Sequence, residues 1–156
     1  MNTEYALDTF KSNLETYLAA ELIVIQNESG SSKVTPVPAE YKLGEHDPNI
    51  LTIYPSINIW SPYSRKSKDS QGYQVREIWI RTLAWVVQND LEDLHRFIVR
   101  YGDGVLRVFR DESYWEAKSF HNPVVEDANY TDLYKQDSVG YAQGVLIEGT
   151  IDYLLV

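Results

Sequence analysis

From Thr3 onward the apolar residues Leu7, Phe10, Leu14, Tyr17, Leu18 and Leu22 recur at spacings of three and four, with Glu4, Asp8, Lys11 and Glu15 between them. That period puts a single apolar stripe on a helix with Thr3 as its candidate N-cap, and such a stripe needs a partner surface. The run ELIVI at 21–25 switches to β-branched residues and predicts an exit from the helix into a short strand. QNESGSSKVT then reads as a loop, because its Gly, Ser and Asn favour turns over regular pairing.

PVPAEY (36–41) suits a short edge strand, since proline has no amide hydrogen for a central ladder. KLGEHDPN (42–49) carries turn chemistry, and ILTIYPSINIW (50–60) reads as a strand interrupted or bulged at Pro55. SPYSRKSKDSQG (61–72) has only one large apolar side chain, Tyr63, and is expected to form a mobile excursion. YQVREIWIRTLAWVVQ (73–88) is then a long strand with apolar residues on both sides, Ile78, Ile80, Ala84 and Val86 on one and Val75, Trp79, Leu83, Trp85 and Val87 on the other.

The strongest helical pattern follows. Leu91, Leu94, Ile98, Tyr101, Val105 and Val108 form a stripe behind the candidate caps Asn89 and Asp90, and Arg96, Arg100, Asp103 and Arg107 occupy the opposite face. Glu92 with Arg96 and Asp103 with Arg107 have the spacing of stabilising pairs. Gly102 and Gly104 each cost a helix about 1 kcal/mol relative to alanine. Gly102 falls within the apolar stripe, where a missing side chain permits close packing; Gly104 falls on the polar side, so a kink or break at 102–104 is the alternative. Residues 113–137 are irregular, with strands expected at 117–126 and 128–135. The final run, VGYAQGVLIEGTIDYLLV, alternates with a period of two and places Val139, Tyr141, Val145, Ile147, Ile151, Tyr153 and Leu155 on one face. A strand of that length belongs inside a sheet. Helices and strands do not alternate regularly, which predicts one α+β domain spanning 1–156, with an antiparallel or mixed sheet and two main helices on one face.

Composition narrows the function without naming it. The 156 residues suffice for one core, and with no cysteine there is no disulfide, thiolate nucleophile or Cys-based zinc site. No secretory leader or membrane-length apolar run is evident, so a soluble chain made in the cytoplasm is expected. The net charge of −9 argues against broad nucleic-acid binding. Within it, residues 61–88 form a basic segment, five basic against two acidic residues. His46, His95 and His121 are far apart and lack metal-ligand spacing. The carboxylate pairs Glu92/Asp93, Asp111/Glu112 and Glu126/Asp127 are better read as solvated surface than as acid–base partners. Gly-x-Gly at 102–104 lacks the third glycine of a dinucleotide loop, and P-loop and nucleophile-elbow motifs are missing. The expectation is a non-enzyme with no catalytic residue, metal or cofactor. The basic stretch at 61–72 is either a solvated linker or an arm that reaches an acidic partner, for which a neighbouring copy of this acidic chain is a candidate.

Taken together, the amphipathic helix at 5–20, "LTIYPSINIW", the long strand ending in "WVVQ", the capped helix "NDLEDLHRFIVRYGDGVLRVF" and the final "GVLIEGTIDYLL" resemble the tail terminator, or tail completion, proteins of long-tailed bacteriophages over nearly the whole chain. The resemblance implies a structural virion protein, present in the host cytoplasm during assembly, that forms a hexameric ring on the tail tube protein, ends tube growth and joins the head–tail connector. A neck or connector protein of similar build is the alternative, and a small ligand-binding domain or enzyme the next. Arg65, Lys66 and Lys68 lie where related proteins place an extension, and are the expected inter-subunit or tube contacts.

Overall fold

The computed structural model describes residues 2–45, 53–69, 71–116, 118–136 and 140–155. Among them the chain runs α1 (Asn2–Ser29), β1 (Glu40–Leu43), β2 (Ser56–Lys68), β3 (Gln74–Gln88), α2 (Leu91–Arg110), α3 (Glu112–Glu116), β4 (Phe120–Val125), β5 (Asn129–Tyr130), β6 (Tyr134–Gln136) and β7 (Gly140–Leu154). The fold is α+β. Its strands form one mixed sheet in the order β1-β2-β3-β7-β4, with β5 and β6 also paired to β7. Only the short β1 runs parallel to its neighbour.

The terminal strand is central. β7 pairs with β3 from Val75 opposite Leu154 to Gln88 opposite Tyr141, and its other edge is met in turn by β4, β5 and β6. Register makes the core face: Ile57 lies opposite Ala84, which lies opposite Val145, while Ile78 lies opposite Ile151. All five are buried in a single cluster with the stripes of α1 and α2. Of the two faces read for β3, the one carrying Ile78, Ile80, Ala84 and Val86 is therefore the core side.

ELIVI does not leave the helix. α1 continues to Ser29 and ends at Gly30, whose φ is 69°. Leu22 and Ile25 extend the stripe of Leu14 and Leu18 and are buried, whereas Ile23 and Val24 stay exposed. Burying a Leu or Ile is worth about 1.5–3 kcal/mol, and a β-branched residue costs a helix only about 0.5 kcal/mol, so the stripe wins. Thr3 lies inside the first turn rather than at the cap, and its hydroxyl donates to Ser64 Oγ at 3.4 Å.

The second helix is capped as expected, with Asp90 Oδ1 accepting from the Asp93 amide at 3.0 Å, and it runs unbroken through both glycines. A Cβ on Gly102 would meet Tyr130 Oη at 3.2 Å and Ala128 Cβ at 3.3 Å; one on Gly104 would meet Leu18 Cδ1 at 2.9 Å and Leu22 Cδ2 at 3.2 Å. Gly104 thus faces α1 rather than solvent. The expected pairs within α2 are replaced by others: Arg96 bonds Asp93 at 2.9 Å, and Arg107 grips Glu28 of α1 with bonds of 3.1 and 2.6 Å. Arg107 is placed by the same close approach of α1 that Gly104 permits.

Residues 61–68 are not a loop. They continue β2 against β3, with a bulge between Trp60 and Tyr63, as far as Lys68 opposite Gln74. There Asp69 Oδ1 accepts from the amides of Gln71 and Tyr73, each at 2.9 Å, and Gly72 takes a φ of 86°. The strand is polar because it is an edge, with water on more than one side, so it never acquires an alternating apolar pattern. β1 begins at Glu40, later than PVPAEY suggested, and the turn expected at 42–49 lies partly outside the described residues.

Two outcomes test this packing. Gly149 has the Phe109 ring 2.7 Å and the Val124 carbonyl oxygen 2.9 Å from the place a Cβ would take, so Gly149→Ala is expected to cost about 1–3 kcal/mol in urea unfolding. Deleting residues 149–156 removes Ile151 and the β4 partner and is expected to abolish the cooperative melt seen by circular dichroism.

Candidate assembly surface

The three cations singled out in the sequence sit together on the outer half of β2. β1 accompanies β2 only from Ser56 to Ile59, so from Trp60 to Lys68 one edge of β2 pairs with β3 and, among the described residues, no strand flanks the other. Arg65 is exposed, and its guanidinium also bonds Glu77 at 3.5 Å and lies over the Trp79 ring, 5.2 Å from the centroid. That arrangement fixes it on the strand, and the neighbouring Tyr63 ring packs on Trp79 as well, at 4.9 Å. Lys66 and Lys68 are exposed and make no ion pair among the described residues. The free charge of this edge is therefore theirs.

On the far side of β7, β4 carries His121 opposite Asp152, and Asn122 Nδ2 donates to Asp152 Oδ2 at 3.3 Å. Asp152 is only 9% exposed. Burial raises its pKa above 3.8, the Asn122 hydrogen bond opposes this, the carboxylates of Glu77 and Asp69 push further upward, and His121 pulls down.

A separate groove of about 760 Å³ lies between the end of α1 and the first half of α2, lined by Ile25, Leu91, His95, Arg96, Val99 and Arg100 among others. Arg100 was assigned to the polar face of α2, yet it is 4% exposed. The segment after α1 crosses over it, and Nη1 donates to the Lys33 carbonyl at 2.6 Å and to Thr35 Oγ1 at 2.8 Å, while Nη2 has no partner. Tyr101 holds the same segment by donating to the Pro36 carbonyl at 2.6 Å, and burial drives its pKa well upward. Burial likewise pushes Tyr41, whose hydroxyl donates to the Leu14 carbonyl, up to about 12. Nothing in the sequence marked these contacts, because each joins α1 or α2 to a stretch of chain remote in sequence, the segment at 33–36 or the short β1.

The remaining candidates do not converge. His95 lines the groove, His121 sits on β4, and His46 lies outside the described residues. Among the described residues no group of three or more His, Asp or Glu is placed to hold a metal ion, and no helix is long and apolar enough to cross a membrane. Of the carboxylate pairs, Asp93 serves Lys33 and Arg96, and Asp111 accepts from the Ser113 amide and hydroxyl at the start of α3. No protein-family model matches the chain, and no curated protein matches it in sequence.

Asp152 supplies a pH test. The folded protein holds this proton more tightly than the unfolded chain, so the stability it contributes is complete below pH 3.8 and is lost as pH rises through the raised folded value. Asp152→Asn is accordingly expected to raise Tm at pH 7, with the gain over wild type shrinking to nothing as the melt is repeated below pH 3.8.

Proposed function

We propose that the chain is a tail terminator of a long-tailed bacteriophage: a structural, non-enzymatic virion protein that closes the tail tube as a hexameric ring and presents a surface to the head connector. The observation that carries this reading is the edge of β2 from Trp60 to Lys68, which no other strand flanks among the described residues and which carries two unpaired lysines. Charges on an open edge keep a sheet from pairing indiscriminately. They leave it able to pair with a surface of opposite sign, and the net charge of −9 makes another copy of the chain such a surface. The whole-length resemblance in element order, together with the central terminal strand, supports the same reading.

On this reading the partners are the chain itself, the tail tube protein below it and the connector above it, and the protein works at the head-proximal end of the tail after assembly in the host cytoplasm. Tubes polymerised from the tail tube protein of the same genome are the direct test. Adding the purified protein is expected to stop their growth and to leave a ring visible at one end by negative-stain microscopy, with Lys66→Glu/Lys68→Glu melting normally but capping at least about tenfold less well. Binding to isolated portal complexes without effect on tube length would assign the chain to the neck instead.

A further inference from the structure

Along β2, Ser64, Lys66 and Lys68 fall on the side of the sheet that carries the helices, because Ser64 lies opposite the core residue Ile78. Arg76 of β3 lies opposite Lys66 and shares that side. Three cations therefore sit together at this corner, and none makes an ion pair among the described residues. The acids of the same hairpin are engaged elsewhere: Glu77 bonds Arg65 on the opposite side, and Asp69 Oδ1 accepts from the amides of Gln71 and Tyr73. Keeping stray strands from an edge needs charge on the edge strand alone. It does not call for Arg76 on the inner strand beside Lys66, since like charges facing across strands are destabilising. Next to this pair, a cleft of about 420 Å³ opens between the first turn of α1 and the hairpin, lined by Asn2, Thr3, Ser64 and Arg76. Every one of these side chains is polar and the charged one is positive; Glu4, in the same helical turn, is exposed and does not line the cleft.

We propose that the outer half of β2 is a docking site for an extended acidic segment of another protein, which adds to the sheet as a strand and sets its carboxylates against Lys66, Lys68 and Arg76. The inference goes beyond the terminator reading and stands without it. Main-chain pairing is on offer because β1 leaves β2 at Ile59, and from Trp60 to Lys68 no strand flanks this edge among the described residues. Such pairing supplies affinity for any extended chain, and the alternating side chains supply the choice. Lys66 and Lys68 are two residues apart on one side, so an incoming strand meets both only if its own acids are two apart. Its intervening residues face the other side, where Tyr63 and Arg65 both pack on the Trp79 ring and Arg65 already has Glu77. The segment that fits therefore alternates acidic with uncharged residues, and a carboxylate beside Arg76 relieves the repulsion that Arg76 and Lys66 exert on each other.

The probe is a synthetic peptide in which glutamate alternates with threonine, titrated into the full chain and followed by fluorescence anisotropy. It is expected to bind, more weakly as salt is raised, and to slow amide hydrogen exchange along residues 60–68. Lys66→Glu/Lys68→Glu is expected to lose at least about tenfold in affinity, and Arg76→Gln to lose less, both with a far-ultraviolet spectrum and melt like those of wild type. Two control peptides separate strand addition from charge alone: one of the same composition with its glutamates in a single block, and the alternating peptide N-methylated at every second residue. Each should bind at least about tenfold more weakly than the alternating peptide. Equal binding of all three would overturn strand addition in favour of diffuse attraction, as would slowed exchange at any segment other than 60–68. A wild type that binds no peptide would overturn the proposal too, and sedimentation as larger assemblies would then name a second copy as the occupant of the edge. Tube capping is read separately, so either conclusion can fail while the other stands.

Discussion

The helix α2 has no side chain at two of the points where its neighbours come nearest. Gly104 lets Leu18 and Leu22 of α1 settle against its backbone, and Gly102 does the same for Ala128 and Tyr130 beside β5. Two glycines in a helix cost about 2 kcal/mol between them. The cost is offset by what the close approach allows: Phe10 of α1 packs edge-on against Phe109 at 5.0 Å and stacks on Trp115 at 5.6 Å, and Trp115 Nε1 finds the Phe109 carbonyl at 2.8 Å. Phe109 in turn lies over Gly149 of β7. Helix spacing, the aromatic cluster and the position of the central strand are thus one constraint. The edges of the sheet are where they are because β7 is pinned beneath α2.

Legibility in the sequence followed burial. Strands β3 and β7 and the stripe of α2 were readable because each has one face or stripe in the core, and burial imposes a period of two or 3.6 on whatever sequence fills it. Residues 61–68 escaped that logic. They are the outer part of β2, where no residue is buried, so polar residues are tolerated at every position, and only pairing to β3 reveals the strand. ELIVI misled for the opposite reason: Ile23 and Val24 are apolar but exposed on the helix, so their composition reported no burial at all. The glycines were visible as an anomaly, whereas their cause was not, because Leu18 and Tyr130 come from elements remote in sequence.

The candidate surface was legible in charge and not in geometry. Lys66 and Lys68 stood out as the basic segment of an acidic chain, and the structure leaves them unpaired. Arg65 stood out equally, yet Glu77 and the Trp79 ring engage it within its own hairpin. The distinction rests on cross-strand register: Arg65 lies directly opposite Glu77, whereas Lys66 lies opposite Arg76, a like charge. A sequence cannot state that register before the bulge at Trp60 and Tyr63 has set it.

That juxtaposition bears on how the edge behaves. Lys66 beside Arg76 concentrates positive charge at a strand whose outer edge, from Trp60 onward, no other strand flanks among the described residues. A second strand can pair with that edge, but only one that brings negative charge lowers the repulsion at the same time. Arg107, Arg96 and Arg81 are each engaged by carboxylates within the subunit, whereas Lys66 and Lys68 of β2, like Arg110, Lys118 and Lys135 elsewhere, are exposed without an ion pair among the described residues. The internal ion pairs therefore shape the surface as much as they hold the core: by neutralising charge elsewhere, they leave the outer half of β2 with free positive charge.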